Sequence, residues 1–163
     1  MSESTHAQPG KRVQDSAVTV NQLMMPEHAN PLGSIHGGVI MKLIDETAAI
    51  CAMRHARQEV VTATIDSMTF HSPVHIGDLV TLRASVNWVG QTAIEVGVRV
   101  VAEHLLTGAL THTNSAYVVF VALKREHPVD IPPLLLETEE ERRRFTEGAA
   151  RQQRRLAQRR SDT

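Results

Sequence analysis

The sequence predicts an α+β domain in which one long helix lies against an antiparallel sheet of about five strands. Three observations carry that expectation. A proline-free stretch from Gly38 to about Arg57 repeats its apolar residues with the period of a helix. The segments after it switch to period-two alternation of apolar and polar residues. Short turns rich in glycine and proline join those segments, and short turns join antiparallel neighbours.

Each element follows in order. Residues 1–12 are polar, contain Pro9-Gly10, and read as a flexible leader before a domain spanning 13–127. Ala17 to Leu23 reads as a first strand. Pro26 and Pro31 bracket a loop that continues through Gly33, Gly37 and Gly38 into the helix. Val61, Ala63 and Ile65 alternate with Thr62, Thr64 and Asp66 in a strand expected to run to about Phe70. Leu82, Ala84, Val86 and Trp88 form the next alternating set, then Ile94, Val96, Val98 and Val100, then a long strand from Thr111 to Leu123. Pro128, Pro132 and Pro133 end the core, so 128–163 reads as a linker and a charged helical tail. In that tail acids precede bases, which complements the helix macrodipole. Thr138 and Glu141 have the spacing of a capping box. Low apolar content suggests a solvated helix, with a phosphate-binding basic arm as the alternative.

Composition excludes several classes. The chain has 163 residues, enough for one core without disulfides or metal. Apolar residues make up 42%, so whole-chain disorder is not expected. A formal net charge of -1 does not point to a nucleic-acid partner. Cys51 is the single cysteine and lies in an apolar run, so it reads as a small core residue. No run of residues has the length and apolarity of a membrane span, and no signal peptide is evident, so a cytoplasmic location is expected. His71 and His75 flank Pro73 and do not have helical ligand spacing, and no metal is expected.

The helix is the informative element. Ile40, Leu43, Ile44, Thr47, Ala48 and Cys51 make one apolar stripe expected to face the sheet. Gly38, Met41, Asp45, Ala49, Ala52 and Ala56 make a second, small-residue face expected to meet a partner subunit. Asp45 is the one carboxylate on that face. A buried carboxylate there either pairs with an arginine or loop, or serves chemistry as base or nucleophile. The loop before the helix bears on that choice. Paired glycines allow close approach to the backbone, and the first helical N–H groups are ready donors for a developing negative oxygen. Asn30 and His36 add polar side chains to the same loop.

The pattern Asn30-x5-His36-Gly37-Gly38-x6-Asp45 resembles hotdog-fold acyl-CoA thioesterases, and within them the cytosolic acyl-CoA hydrolase group. Met68-Thr69-Phe70, Ile76-Gly77-Asp78 and Ala116 to Ala122 support the resemblance, which covers roughly residues 18–144. The resemblance implies a hotdog fold and a homodimer whose two sheets join, often assembled further as a hexameric trimer of dimers. It implies acyl-CoA as substrate and no separate cofactor, coenzyme A being part of the substrate. Asn30, His36 and Gly37 of one subunit would then face Asp45 of the other. Gly37 N–H would act as oxyanion donor. Asp45 would activate water or attack the thioester to give a mixed anhydride. Asn30 and His36 would position water or thioester. Gly38, Gly90, Thr92, Lys124 and Arg125 are the candidates for further substrate contact. Two other readings remain open from sequence: a hotdog hydratase or dehydratase acting at carbon, and a non-catalytic acyl-CoA-binding module.

Overall fold

The computed structural model describes residues 8–123 and 130–161. Its strands are β1 (Lys11–Arg12), β2 (Val18–Leu23), β3 (Val60–Asp66), β4 (Asp78–Val89), β5 (Ala93–His104), β6 (Ala109–Ala122) and β7 (Leu134–Leu135). The helices are α1 (Gly37–Ala56) and α2 (Glu139–Ser161), with one-turn 3-10 helices at Val13–Asp15 and Pro26–His28. β2, β4, β5, β6 and β3 form one antiparallel sheet in that spatial order. The chain therefore leaves β2 at one edge, crosses the sheet face as α1, and re-enters at the opposite edge as β3. This is the expected α+β architecture.

Alternation decides which side of the sheet meets the helix. Leu82, Ala84 and Val86 of β4, Val96 and Val98 of β5, and Val118 and Phe120 of β6 are buried against Ile40, Ile44, Ala48 and Cys51 of α1. Desolvation on that face pushes the Cys51 thiol up to about 12, so it stays protonated. The expected stripe along α1 thus faces the core, with Leu43 only half-buried. Ala52 and Ala56, expected on the partner face, are instead buried within the subunit. They lie one and two turns beyond Ala48 and join its buried cluster. Lys11 donates from Nζ to the carbonyls of Arg54 and His55, satisfying groups that a helix C-terminus leaves open. Pro132 O sits 2.7 Å from His55 Nε2. β1 and β7 pair in parallel and tie these two segments together. Lys11 and Arg12, read as leader from sequence, are strand residues, and the expected β3 strand stops at Asp66, short of Phe70.

α2 lies on the other side of the sheet, and polar anchors hold it there. Glu95 is fully buried and accepts from Arg151 at 2.7 Å, Arg155 at 3.1 Å and Asn87 at 3.3 Å. Arg155 also bonds Asp66, and the Arg151 guanidinium lies 3.6 Å above the Tyr117 ring. A buried carboxylate is tolerable when such partners surround it. Gly148 is the close-approach point, because a Cβ there would sit 2.8 Å from Trp88 Cβ. The helix begins as its sequence suggested: Glu141 N–H donates to Thr138 Oγ1, and Glu141 Oε2 accepts from Thr138 N–H. It is docked rather than solvated all round.

Candidate active site

The loop 30–36 is fixed by its own polar groups. Asn30 Oδ1 accepts from the N–H groups of Leu32 and Ser34, and Nδ2 donates to Ser34 Oγ. Asn30 N–H donates to Ser34 O at 2.7 Å. This is the side-chain turn that asparagine favours. It delivers Ile35 into the core and His36 to the start of α1.

His36 is the N-cap of that helix. Its Nδ1 accepts from Gly38 N–H at 3.0 Å, and its carbonyl accepts from Val39 N–H. Gly38 is therefore satisfied inside the protein. The first helical N–H, that of Gly37, has no acceptor among the described residues. Gly37 borders a cavity of about 260 Å³ lined by Ile35, Ile40, Phe70 and Val74, with His71 and Ser72 adding polar groups. Phe70 closes over the glycine, its Cζ 3.5 Å from where a Cβ would stand. An N–H without an acceptor at a helix start, on a residue that borders a hollow, suits a carbonyl oxygen that gains charge.

Asp45 lies two turns further along α1. Eight residues of helix place it about 12 Å from Gly37 along the axis. It is half-buried and pairs with no arginine among the described residues. Its Oδ1 accepts from Thr62 Oγ1 at 2.7 Å. Thr62 stands on β3, the edge strand, where the pairing with β6 shifts register between Thr62 and Thr64. Sequence reading missed Thr62. It appeared only as one polar residue in an alternating strand, and its partner is on another element. The structure brings together His36, Gly37 and Gly38 at one end and Asp45 with Thr62 at the other.

The remaining candidates sit elsewhere. Gly90 and Thr92 form the β4–β5 hairpin, where Gly90 N–H donates to Ala93 O and Thr92 O accepts from Ala122 N–H. Those backbone groups serve the sheet. Lys124 and Arg125 lie outside the described residues. Among the described residues, no three His, Cys, Asp or Glu side chains converge as metal ligands. No helix among them is long and apolar enough to cross a membrane.

Comparison with known proteins gives a consistent result. The model of the thioesterase superfamily matches residues 32–109. An uncharacterized acyl-CoA thioester hydrolase of Bacillus subtilis, YkhA, is 40% identical over 78% of this chain and 74% of its own length. The crystal structure of an apo-hexameric acyl-CoA thioesterase superimposes with a TM-score of 0.86 at 38% identity, covering 93% of this chain and 97% of that one. An acyl-CoA hydrolase of Staphylococcus aureus, solved with butyryl coenzyme A, coenzyme A and coenzyme A disulfide, gives 0.85 at 32% identity over 94% of each chain. Variants of that hydrolase have been solved with an asparagine, an aspartate or a threonine replaced by alanine. Those three residues are 15 and 17 positions apart, as are Asn30, Asp45 and Thr62.

Proposed function

The chain belongs to the thioesterase superfamily, and we propose that it hydrolyses acyl-CoA thioesters at a site shared between two subunits. The observation that carries this reading is the pair of unspent groups on α1: the Gly37 N–H and the Asp45 carboxylate held by Thr62. A thioester needs little more. Its carbonyl is electrophilic, and its thiol leaves readily because thiol pKa values lie near about 8.5. The acyl carbonyl enters the hollow beside Gly37, whose N–H stabilises the oxyanion. Thr62 fixes one carboxylate oxygen of Asp45 and leaves Oδ2 to address water or the carbonyl carbon. Both routes, general base and nucleophile, use the same placement. His36 contributes by capping: its Nδ1 must be unprotonated to accept from Gly38.

Distance and exposed surface support a shared site. One carbonyl and one water do not span the roughly 12 Å between Gly37 and Asp45 of the same helix. Met41 is exposed on the same side of α1 as Asp45, and the outer edge of β3 has no strand beside it among the described residues. A second copy pairing edge to edge at β3 joins the sheets and removes an open edge. It also brings the partner's acid toward the Gly37 loop. The hexameric relative supports further assembly of such dimers.

Asp45→Asn tests the chemistry. The expected result is thiol release from acyl-CoA slowed by about 10²–10⁴ with substrate binding retained. Near-normal hydrolysis by this variant excludes Asp45 as base or nucleophile. A chain that releases no thiol from saturated acyl-CoA, yet hydrates the unsaturated analogue, is a hydratase instead.

A further inference from the structure

The cavity beside Gly37 has a fixed floor and one large exposed side chain on its wall. Ile35, Ile40 and Val74 line it, and all three belong to the buried core, so the floor has no slack. The segment that carries Phe70 is pinned on both sides. His71 N–H donates to Thr113 O of β6 at 2.8 Å, and Ile35 N–H donates to Val74 O at 2.8 Å. A further bridge pairs Ser34 with His75. Backbone bonds on both sides leave this segment little freedom to swing as a lid. The Phe70 side chain is different. It is 48% exposed and lies outside the core cluster that Met68 of the same segment packs against. Its ring nonetheless lies against Gly37, with Cζ 3.5 Å from where a Cβ would stand. A half-exposed ring gains only part of the free energy that full burial supplies, so core packing alone does not account for its place.

We propose that this cavity takes the acyl chain of the substrate and that Phe70 sets the length it accepts. The proposal rests on the hydrolase reading above and narrows its substrate class to short and medium acyl groups. The acyl chain starts at the carbonyl carbon, so a carbonyl on the Gly37 N–H sets the first methylenes beside the same glycine, where the apolar lining lies. A volume of about 260 Å³ falls below the roughly 300–1,000 Å³ of sites that enclose drug-sized ligands. A methylene fills about the space of one water, roughly 30 Å³, so the cavity holds roughly eight carbons. Longer chains displace Phe70 or run out into solvent. Each methylene buried raises kcat/KM about fourfold. Contacts to the chain are alike in ground and transition states, so the gain falls on KM rather than kcat.

The test is thiol release by the full-length protein across saturated acyl-CoAs from acetyl to palmitoyl, for wild type, Phe70→Ala and Phe70→Trp. In wild type, kcat/KM should climb about fourfold per methylene up to about octanoyl and no further. Phe70→Ala widens the hollow and should move that break to longer chains. Phe70→Trp narrows it and should move the break to shorter ones. Both should keep kcat on acetyl-CoA within about twofold of wild type, because the first carbons do not reach the altered wall. A general defect in folding lowers every chain length alike and moves no break, so opposite shifts in the two variants mark a role in length selection. A break that stays at the wild-type length in both variants overturns the role of Phe70. A wild type whose kcat/KM climbs without a break to palmitoyl overturns the cavity as the acyl site. Both of those outcomes leave hydrolysis standing, whereas a wild type that releases thiol from no chain length overturns the hydrolase reading and this proposal with it.

Discussion

At the scale of single residues, the unspent donor at Gly37 follows from its position. The first residue of a helix has no carbonyl four residues back within the helix, and His36 spends its own acceptors on Gly38 and Val39. This allows a clean removal of the donor. Proline is tolerated at the first helical position and lacks the N–H. The preceding residue, His36, already has φ -61° and ψ 128°, the extended conformation that a following proline requires. Gly37→Pro should therefore keep the fold, with an unfolding midpoint at or above wild type. It should slow thiol release by about 10²–10³. Gly37→Ala is the control, since it keeps the N–H and brings its Cβ only to ordinary contact with Phe70. A proline variant with wild-type kcat would rule out this N–H as oxyanion donor. The loop half of the site and Asp45 were legible because they are local: a glycine pair before a helical period, and one acid on a small-residue face. Thr62 was not, because its role depends on α1 crossing the sheet to its far edge, which no spacing along the chain encodes.

At the scale of elements, the strands were legible and the seat of α2 was not, and one cause explains both. Alternation reports which side chains reach an apolar core, so β4, β5 and β6 announced themselves through their valines and leucines. α2 is seated by Glu95, Arg151 and Arg155, residue types that read as solvent-facing, and by a glycine that reads as a helix defect. Ala52 and Ala56 were misplaced for a different reason: small residues suit either face of a helix, and both join the buried cluster around Ala48. Gly148→Ala separates the two accounts of α2. In an isolated helix alanine is better than glycine by about 1 kcal/mol. Against the sheet, the new methyl meets Trp88 Cβ at 2.8 Å, an atom fixed to the β4 backbone. The substitution should raise helicity in a peptide of residues 137–161 yet destabilise the whole protein by about 1–3 kcal/mol in urea unfolding. Stabilisation of the whole protein would mean that α2 is not held where the Glu95 network places it.

At the scale of the whole molecule, the question is whether one subunit can act alone. Gly37 and Asp45 point away from a common substrate in a single chain, because eight residues separate them by about 12 Å of rise and by a rotation of roughly 80°. The proposed dimer, two copies related by a two-fold axis, would change this. Each loop would then meet the other's acid, and such a dimer would carry two composite sites. Co-expression of Gly37→Pro with Asp45→Ala tests the arrangement, with each variant first shown inactive alone. In a mixed dimer, one composite site contains both defects and the other contains neither. Random pairing at equal expression makes about half the dimers mixed, so roughly a quarter of wild-type turnover should return. A site complete within one subunit gives a different outcome, since every subunit in the mixture carries a defect and no activity can return. Distinct affinity tags on the two variants isolate the mixed species, whose turnover should approach about half that of wild type. Mixed assemblies that form and stay inactive would place both halves of the site in one chain and remove the dimer from the mechanism.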